Sequence, residues 1–294
     1  MRIRSEMTML LTVLGALALS ACGGDDQGNL SVLLEAEESI VEGLEAGDGD
    51  ENIVDGFNVT FSRYVVAIGY VAMSQVDDAN PQSSPVVAIA DFKSLGTLPE
   101  LTSFNGIPTG QYTNFGFETP VPSADVVNFN DVDEGDIEAM IENEWSYIIE
   151  GTIEQVSDGE TKDFLIQADV PSVYSDCAVE DRARGVNVQS DSSVDITLHG
   201  DHIFFNGFQD DEDEVQRRAE WMWLVPNIDS DPVLTRADFE AETNIGKLFP
   251  QPPDGDYQLG GGPLEITNAW DFIRAQLGTQ GHIFGEGECE WSDL

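Results

Sequence analysis

The chain is nearly without lysine. Lys93, Lys162 and Lys247 are its three, and Lys and Arg together number 12 against 56 Asp and Glu. The formal net charge is -44. Phosphate recognition needs a basic face, so nucleic acid is excluded as a partner. Histidine and cysteine are scarce as well, with three of each. No cysteine has a Cys-x-x-Cys partner or a nearby histidine, which leaves a redox role without support. No Gly-x-Ser-x-Gly elbow, phosphate loop or dinucleotide fingerprint is present. The apolar run from Met7 to Leu19 is too short to span the ~30 Å of a bilayer's hydrocarbon core. Two readings of the acidity compete. One is a solvated acidic shell suited to high salt, where screening removes self-repulsion; the other is collection of divalent cations. The carboxylates are spread along the whole chain, which favours the first.

What is present begins with a leader. Met1-Arg-Ile-Arg4 is basic, Met7–Leu19 is apolar, and Leu19-Ser20-Ala21-Cys22 closes the segment before Gly23-Gly24. A charged start, a short apolar stretch and small residues at a cleavage point define a secretory signal peptide. With a cysteine in that place, the segment resembles the lipobox leader of a bacterial lipoprotein. The resemblance implies removal of residues 1–21, lipidation of Cys22 and export to a bacterial membrane. Gly23 carries no obvious inner-membrane retention signal, which points to the outer membrane. The membrane is then a partner through the N-terminal lipid, with a protein or carbohydrate partner left open.

Loss of the leader leaves about 270 residues, enough for one large domain or two small ones. Asp25-Asp26 and Glu45-Ala-Gly-Asp-Gly-Asp-Glu51 flank a possible helix at Val32–Leu44. Residues 22–52 read as a flexible acidic tether. From Phe57 the chain alternates. Phe57–Met73 is rich in β-branched and aromatic residues, and Pro85–Phe92 and Gln111–Glu118 follow the same pattern. Trp145–Val156 and Thr161–Ala168 flank Ser157-Asp-Gly159, a hairpin signature. Val186–Val188, Ser193–His199 and Ile203–Phe205 read as shorter strands. The fold class expected is mainly β with a helical C-terminal section: an antiparallel β-sandwich over 53–208, then a helix-loop-helix and a C-terminal helix within 209–294. An acidic helix is expected at Asp133–Asn143. The C-terminal helices are expected at Val215–Val225, Thr235–Thr243 and Asn268–Leu277, with Asp271 in capping-box position. The strand order and the Ile107-Pro-Thr-Gly-Gln-Tyr112 turn make residues 55–170 similar to transthyretin-like or immunoglobulin-like modules of exported lipoproteins.

Three groups of residues can carry chemistry. With Cys22 lipidated, Cys177 and Cys289 form an even pair in an exported chain and suggest one disulfide. Asn227-Ile-Asp229-Ser-Asp231-Pro-Val-Leu-Thr-Arg-Ala-Asp238 places oxygen-bearing side chains at positions 1, 3, 5, 9 and 12 of a loop. It resembles an EF-hand calcium loop, a resemblance that assigns Asn227, Asp229, Asp231, the Val233 carbonyl, Thr235 and Asp238 as ligands. Pro232 stands where the family needs Gly, Asp238 is shorter than the usual Glu, and Asn227 removes a charge. The loop therefore reads as a degenerate EF-hand kept for packing.

The histidines form the third group. His199 and His202 sit in Leu198-His-Gly-Asp-His-Ile203, with Asp201 between them, and His282 lies in Gln280-Gly-His-Ile283. Gly200 frees the backbone to aim the first two rings at one point, and a Cys177–Cys289 bridge would hold His282 seven residues away. Three imidazoles suit zinc, copper or nickel, and Asp201 can support them. The expected function is a lipid-anchored, exported acidic binding or structural protein holding a transition metal at these histidines. Two alternatives remain. One is a metal-dependent hydrolase with Asp201 or Glu286 as general base. The other is a surface adhesion or assembly module without metal, its tryptophans mostly core residues.

Overall fold

The computed structural model describes residues 26–179, 182–208, 215–228, 231–251, 256–260 and 264–293. Strands in chain order are β1 (Gln27–Ala36), β2 (Phe57–Gln75), β3 (Ala79–Ser83), β4 (Val87–Asp91), β5 (Glu100–Pro108), β6 (Gly110–Tyr112), β7 (Asn114–Thr119) and β8 (Val127–Asn128). They continue with β9 (Tyr147–Gln155), β10 (Glu160–Ala168), β11 (Ser172–Ala178), β12 (Val186–Val188), β13 (Asp191–Leu198), β14 (Val233–Leu234), β15 (Gly281–Ile283) and β16 (Gly287–Asp293). The helices are α1 (Glu38–Val41), α2 (Glu134–Asn143), α3 (Glu220–Leu224), α4 (Arg236–Ala241), α5 (Ile245–Leu248) and α6 (Ala269–Gly278).

Among the described residues the protein is mainly β, built on a large curled mixed sheet of fourteen strands. The main path runs β14-β10-β9-β2-β7-β11-β16-β15-β13-β1-β5, and β6 pairs with β12 apart from it. Antiparallel pairing dominates as expected. Three pairings are parallel, however: β1 with β13, β4 with β8 and β10 with β14. The sandwich expected for residues 53–208 thus appears as one curled sheet that recruits strands from both ends of the chain.

The tether is the largest correction. Leu30, Val32 and Leu34 are fully buried while Asn29, Ser31 and Leu33 are only half-buried, a period-two pattern. Residues 27–36 therefore form a strand, inserted between β13 and β5. The helix expected at Val32–Leu44 shrinks to α1, capped by the Glu37 carboxylate accepting from Ser39 N. The C-terminal section is corrected in the same way. β15 and β16 lie inside the sheet, between β13 and β11, so residues 281–293 belong to the β body.

The long β2 shows how one strand serves two layers. Its ends alternate, but Tyr64–Ile68 is buried throughout. Tyr64, Val66 and Ile68 face the main core, whereas Val65 and Ala67 pack in a smaller cluster with Ile148 and Met140 of α2. The helix α2 forms where expected, with Asp133 accepting from Gly135 N at its start. The β9–β10 hairpin also matches, turning at Gly159 with φ +74°.

Two expected elements differ. Val215–Val225 is helical only at α3, because Arg217 makes extended bridges to Ile53 and Phe205. Ile203–Phe205, expected as a strand, is mostly the end of a 3₁₀ turn at Gly200–Phe204. The helix α4 begins after Thr235 as expected, and α6 starts after Asn268, whose side chain accepts from Asp271 N.

Candidate metal centre

β13 ends at Leu198, and the next residue, His199, is anchored by its own N–H to the Gln280 carbonyl at 3.1 Å. The 3₁₀ turn that follows carries Asp201 and His202. It can form because Gly200 lies flat against the core: a Cβ there would meet Ile40 Cγ1 at 2.6 Å. His282 is the middle residue of β15, paired with Thr197 of β13 on one side and Glu288 of β16 on the other. Gly281 before it faces the Tyr174 ring, which a Cβ would meet at 2.5 Å. Two strands, a turn and two glycines thus bring the three histidines together. Ring centroids are 4.2 Å apart for His199 and His282, 5.0 Å for His202 and His282, and 5.5 Å for His199 and His202. One ring nitrogen of each lies within 4.8 Å of the other two. The cluster can hold a metal ion.

Hydrogen bonds fix which nitrogens are free. His199 Nε2 lies 2.9 Å from the Gly285 carbonyl. A carbonyl only accepts, so Nε2 carries the hydrogen and the Nδ1 lone pair is left over. His202 Nδ1 lies 2.8 Å from Thr279 Oγ1. The Thr279 hydroxyl gives its one hydrogen to the Gln276 carbonyl at 2.9 Å. It must therefore accept from His202 Nδ1–H, leaving the Nε2 lone pair free. His282 Nδ1 is buried and has no hydrogen-bond partner. An orphaned buried polar atom is costly, and a metal ion would satisfy this one. Tautomers fixed from the far side of the ring are how metal-binding histidines are usually oriented.

The electrostatics agree with neutral ligands. Burial, then His199 and Arg217, push His202 well below the ordinary imidazole value of 6.5. Burial, then His202 and His199, do the same to His282. Both rings keep their lone pairs near neutral pH, as metal ligation requires.

Carboxylates stand beside the rings. Asp201 is 2% exposed; its Oδ2 accepts from Arg217 Nε at 2.6 Å, and its Oδ1 lies 3.9 Å from His199 Nδ1 without a hydrogen bond. Glu37, His199 and Asp201 form a second group able to hold an ion. Burial, then the Asp201 charge, raise the Glu37 carboxyl above its usual range, against hydrogen bonds from Ser39. Sequence reasoning missed Glu37 because it lay in the supposed tether; the alternation through Leu34 was the signal that could have found it. Thr279, Gly285 and Arg217 were missed because each acts through the fold.

Both groups open onto a cleft of about 1290 Å³. Ten acidic residues of the described chain line it, including Glu38, Glu42, Asp50, Glu286 and Glu288, against one arginine. That arginine, Arg217, is already committed to Asp201 and to the Asp50 carbonyl.

The other expected residues divide. Cys177 and Cys289 are joined as a disulfide that links β11 to β16. Cys22 and Asp229 lie outside the described residues. In the loop before α4, the Asn227 side-chain amide donates to the Asp231 carbonyl, and Asp231 Oδ1 accepts from Val233 N at 3.0 Å. Val233 pairs with Asp163 in β14, and Thr235 caps α4. Asp238 is fully buried and accepts from Ile228 N and Thr235 N, both at 2.8 Å. Burial alone would raise its carboxyl, but the bonds from Ile228 and Thr235 outweigh it and hold it low.

No protein family, no curated protein and no solved structure matches this chain. The functional reading therefore rests on the chemistry of the site itself.

Proposed function

We propose that the chain is an exported, lipid-anchored acidic protein that binds one transition-metal ion, zinc or copper, through His199, His202 and His282. The observation that carries this is the convergence of three imidazoles, two with lone pairs fixed by acceptors behind them and one with an orphaned buried nitrogen. Nitrogen donors of this kind suit zinc and copper better than calcium. The leader sequence supports export and anchoring at Cys22, and a disulfide fits an oxidising compartment. The Asn227–Asp238 loop serves as a packing unit in this reading, its Asp238 acting as a cap.

A second reading is a metal-dependent hydrolase at the same histidines. It is favoured by the open cleft and by Glu37 and Asp201 beside the rings. A three-histidine site with a free coordination position is what catalytic zinc uses.

Elemental analysis of protein purified without chelator tests the proposal. It predicts one equivalent of zinc or copper, lost in His202→Ala. Absence of metal from the wild type, or equal metal in the variant, contradicts it.

A further inference from the structure

The two ligand groups share a single residue. His199 belongs to both the three-histidine group and the Glu37–His199–Asp201 group. Its Nε2–H is tied to the Gly285 carbonyl, so Nδ1 is the one lone pair it can give to either. His199 can thus serve only one ion at a time. The groups differ in character. One offers three imidazoles; the other offers two carboxylates and an imidazole. Asp201 Oδ1, in a residue 98% buried, has no hydrogen-bond partner and faces His199 Nδ1. Glu37 is half-buried on the acidic wall of the cleft, next to exposed Glu38.

We propose that the ion passes through two overlapping positions. It is first captured by Glu37, Asp201 and His199 Nδ1, then pivots about His199 onto His202 and His282. This rests on the metal-centre reading above. The chemistry favours that order. Carboxylates are hard, charged ligands that attract a hydrated divalent cation out of an acidic cleft. Imidazoles are softer and neutral, and hold zinc or copper more selectively once water has been shed. The anionic first position lowers the barrier to dehydration, and the second retains the ion. The arrangement names the ligand class as a free hydrated divalent transition-metal cation.

The test is rapid mixing of Co²⁺ with the metal-free full chain, followed by visible absorption. The wild type is expected to load in two phases. Glu37→Gln keeps an oxygen to cap Ser39 but removes the charge. It should slow the first phase on the order of tenfold, at the low end of electrostatic focusing effects, with the final stoichiometry unchanged. Glu38→Gln removes one charge from the same wall without removing a ligand, and should slow loading much less. His282→Ala should still take up Co²⁺ weakly in the first position, without the intense band of a tetrahedral centre. Equal slowing by Glu37→Gln and Glu38→Gln would reduce the effect to the field of the cleft and overturn the first position. So would unaltered loading in Glu37→Gln, or no Co²⁺ uptake by a folded His282→Ala. A wild type that takes up no Co²⁺ at all would fail the metal-centre reading itself.

Discussion

Each histidine owes its role to a neighbour that is not a ligand. Gly281 is the plainest case, because its missing side chain lets β15 press against the Tyr174 ring. Gly281→Ala is predicted to cost about 1–3 kcal/mol, the usual range for overpacking. Because His282 is the next residue, metal affinity should fall as well. Urea unfolding and a metal titration check this; a neutral variant would show that the ring can shift freely. The buried imidazoles also predict a pH dependence. His202 and His282 have folded values depressed below 6.5, so the unfolded chain binds more protons as pH falls through about that value. The stability they contribute is present above pH 6.5 and is lost below it. Glu37 and Asp55, both raised chiefly by burial, act with the opposite sign at lower pH. The difference between wild type and His202→Asn isolates the imidazole effect. The metal-free wild type should lose more melting temperature than the variant between pH 7.5 and pH 5.5 (roughly one unit either side of a free imidazole). Parallel losses would contradict the burial of a neutral His202.

At the scale of elements, local signals were legible in the sequence and long-range strand pairings were not. The β9–β10 hairpin, α2 and α6 carry their instructions within a few residues: an Asp-Gly turn, an Asp133 cap, an Asn268 cap. The histidines were legible as a group because only three occur. The parallel partner of β1 was not, since it lies more than 150 residues away, at Asp191–Leu198. Acidic and glycine-rich flanks masked the alternation of Leu30, Val32 and Leu34, and with it the position of Glu37. Likewise β15 and β16 are short, and their place in the sheet is set by pairing with β13 and β11. The Cys177–Cys289 bridge spans 112 residues and fastens that closure. In the chain-entropy model a loop of this length contributes about 4–5 kcal/mol. Cys177→Ala/Cys289→Ala should lower unfolding free energy toward that amount and weaken metal binding by loosening the β15–β16 hairpin. An unchanged denaturation midpoint would show that pairing alone holds the hairpin.

For the whole molecule, the acidity and the site answer one another. A net charge of -44 is carried everywhere on the chain and suits a salty medium. Around the histidines it is concentrated, with ten acidic residues of the described chain lining the cleft onto which the three rings open. The curled sheet positions the rings: β15 holds His282, His199 follows the end of β13, and the turn after it holds His202. The measurement that tests this account most directly is a zinc titration of chelator-stripped wild type beside His199→Ala, His202→Ala and His282→Ala, each first shown to be folded. One tight equivalent is expected in the wild type, with a large loss of affinity in all three variants. A wild type without a tight equivalent, or a variant that binds as the wild type does, would contradict it.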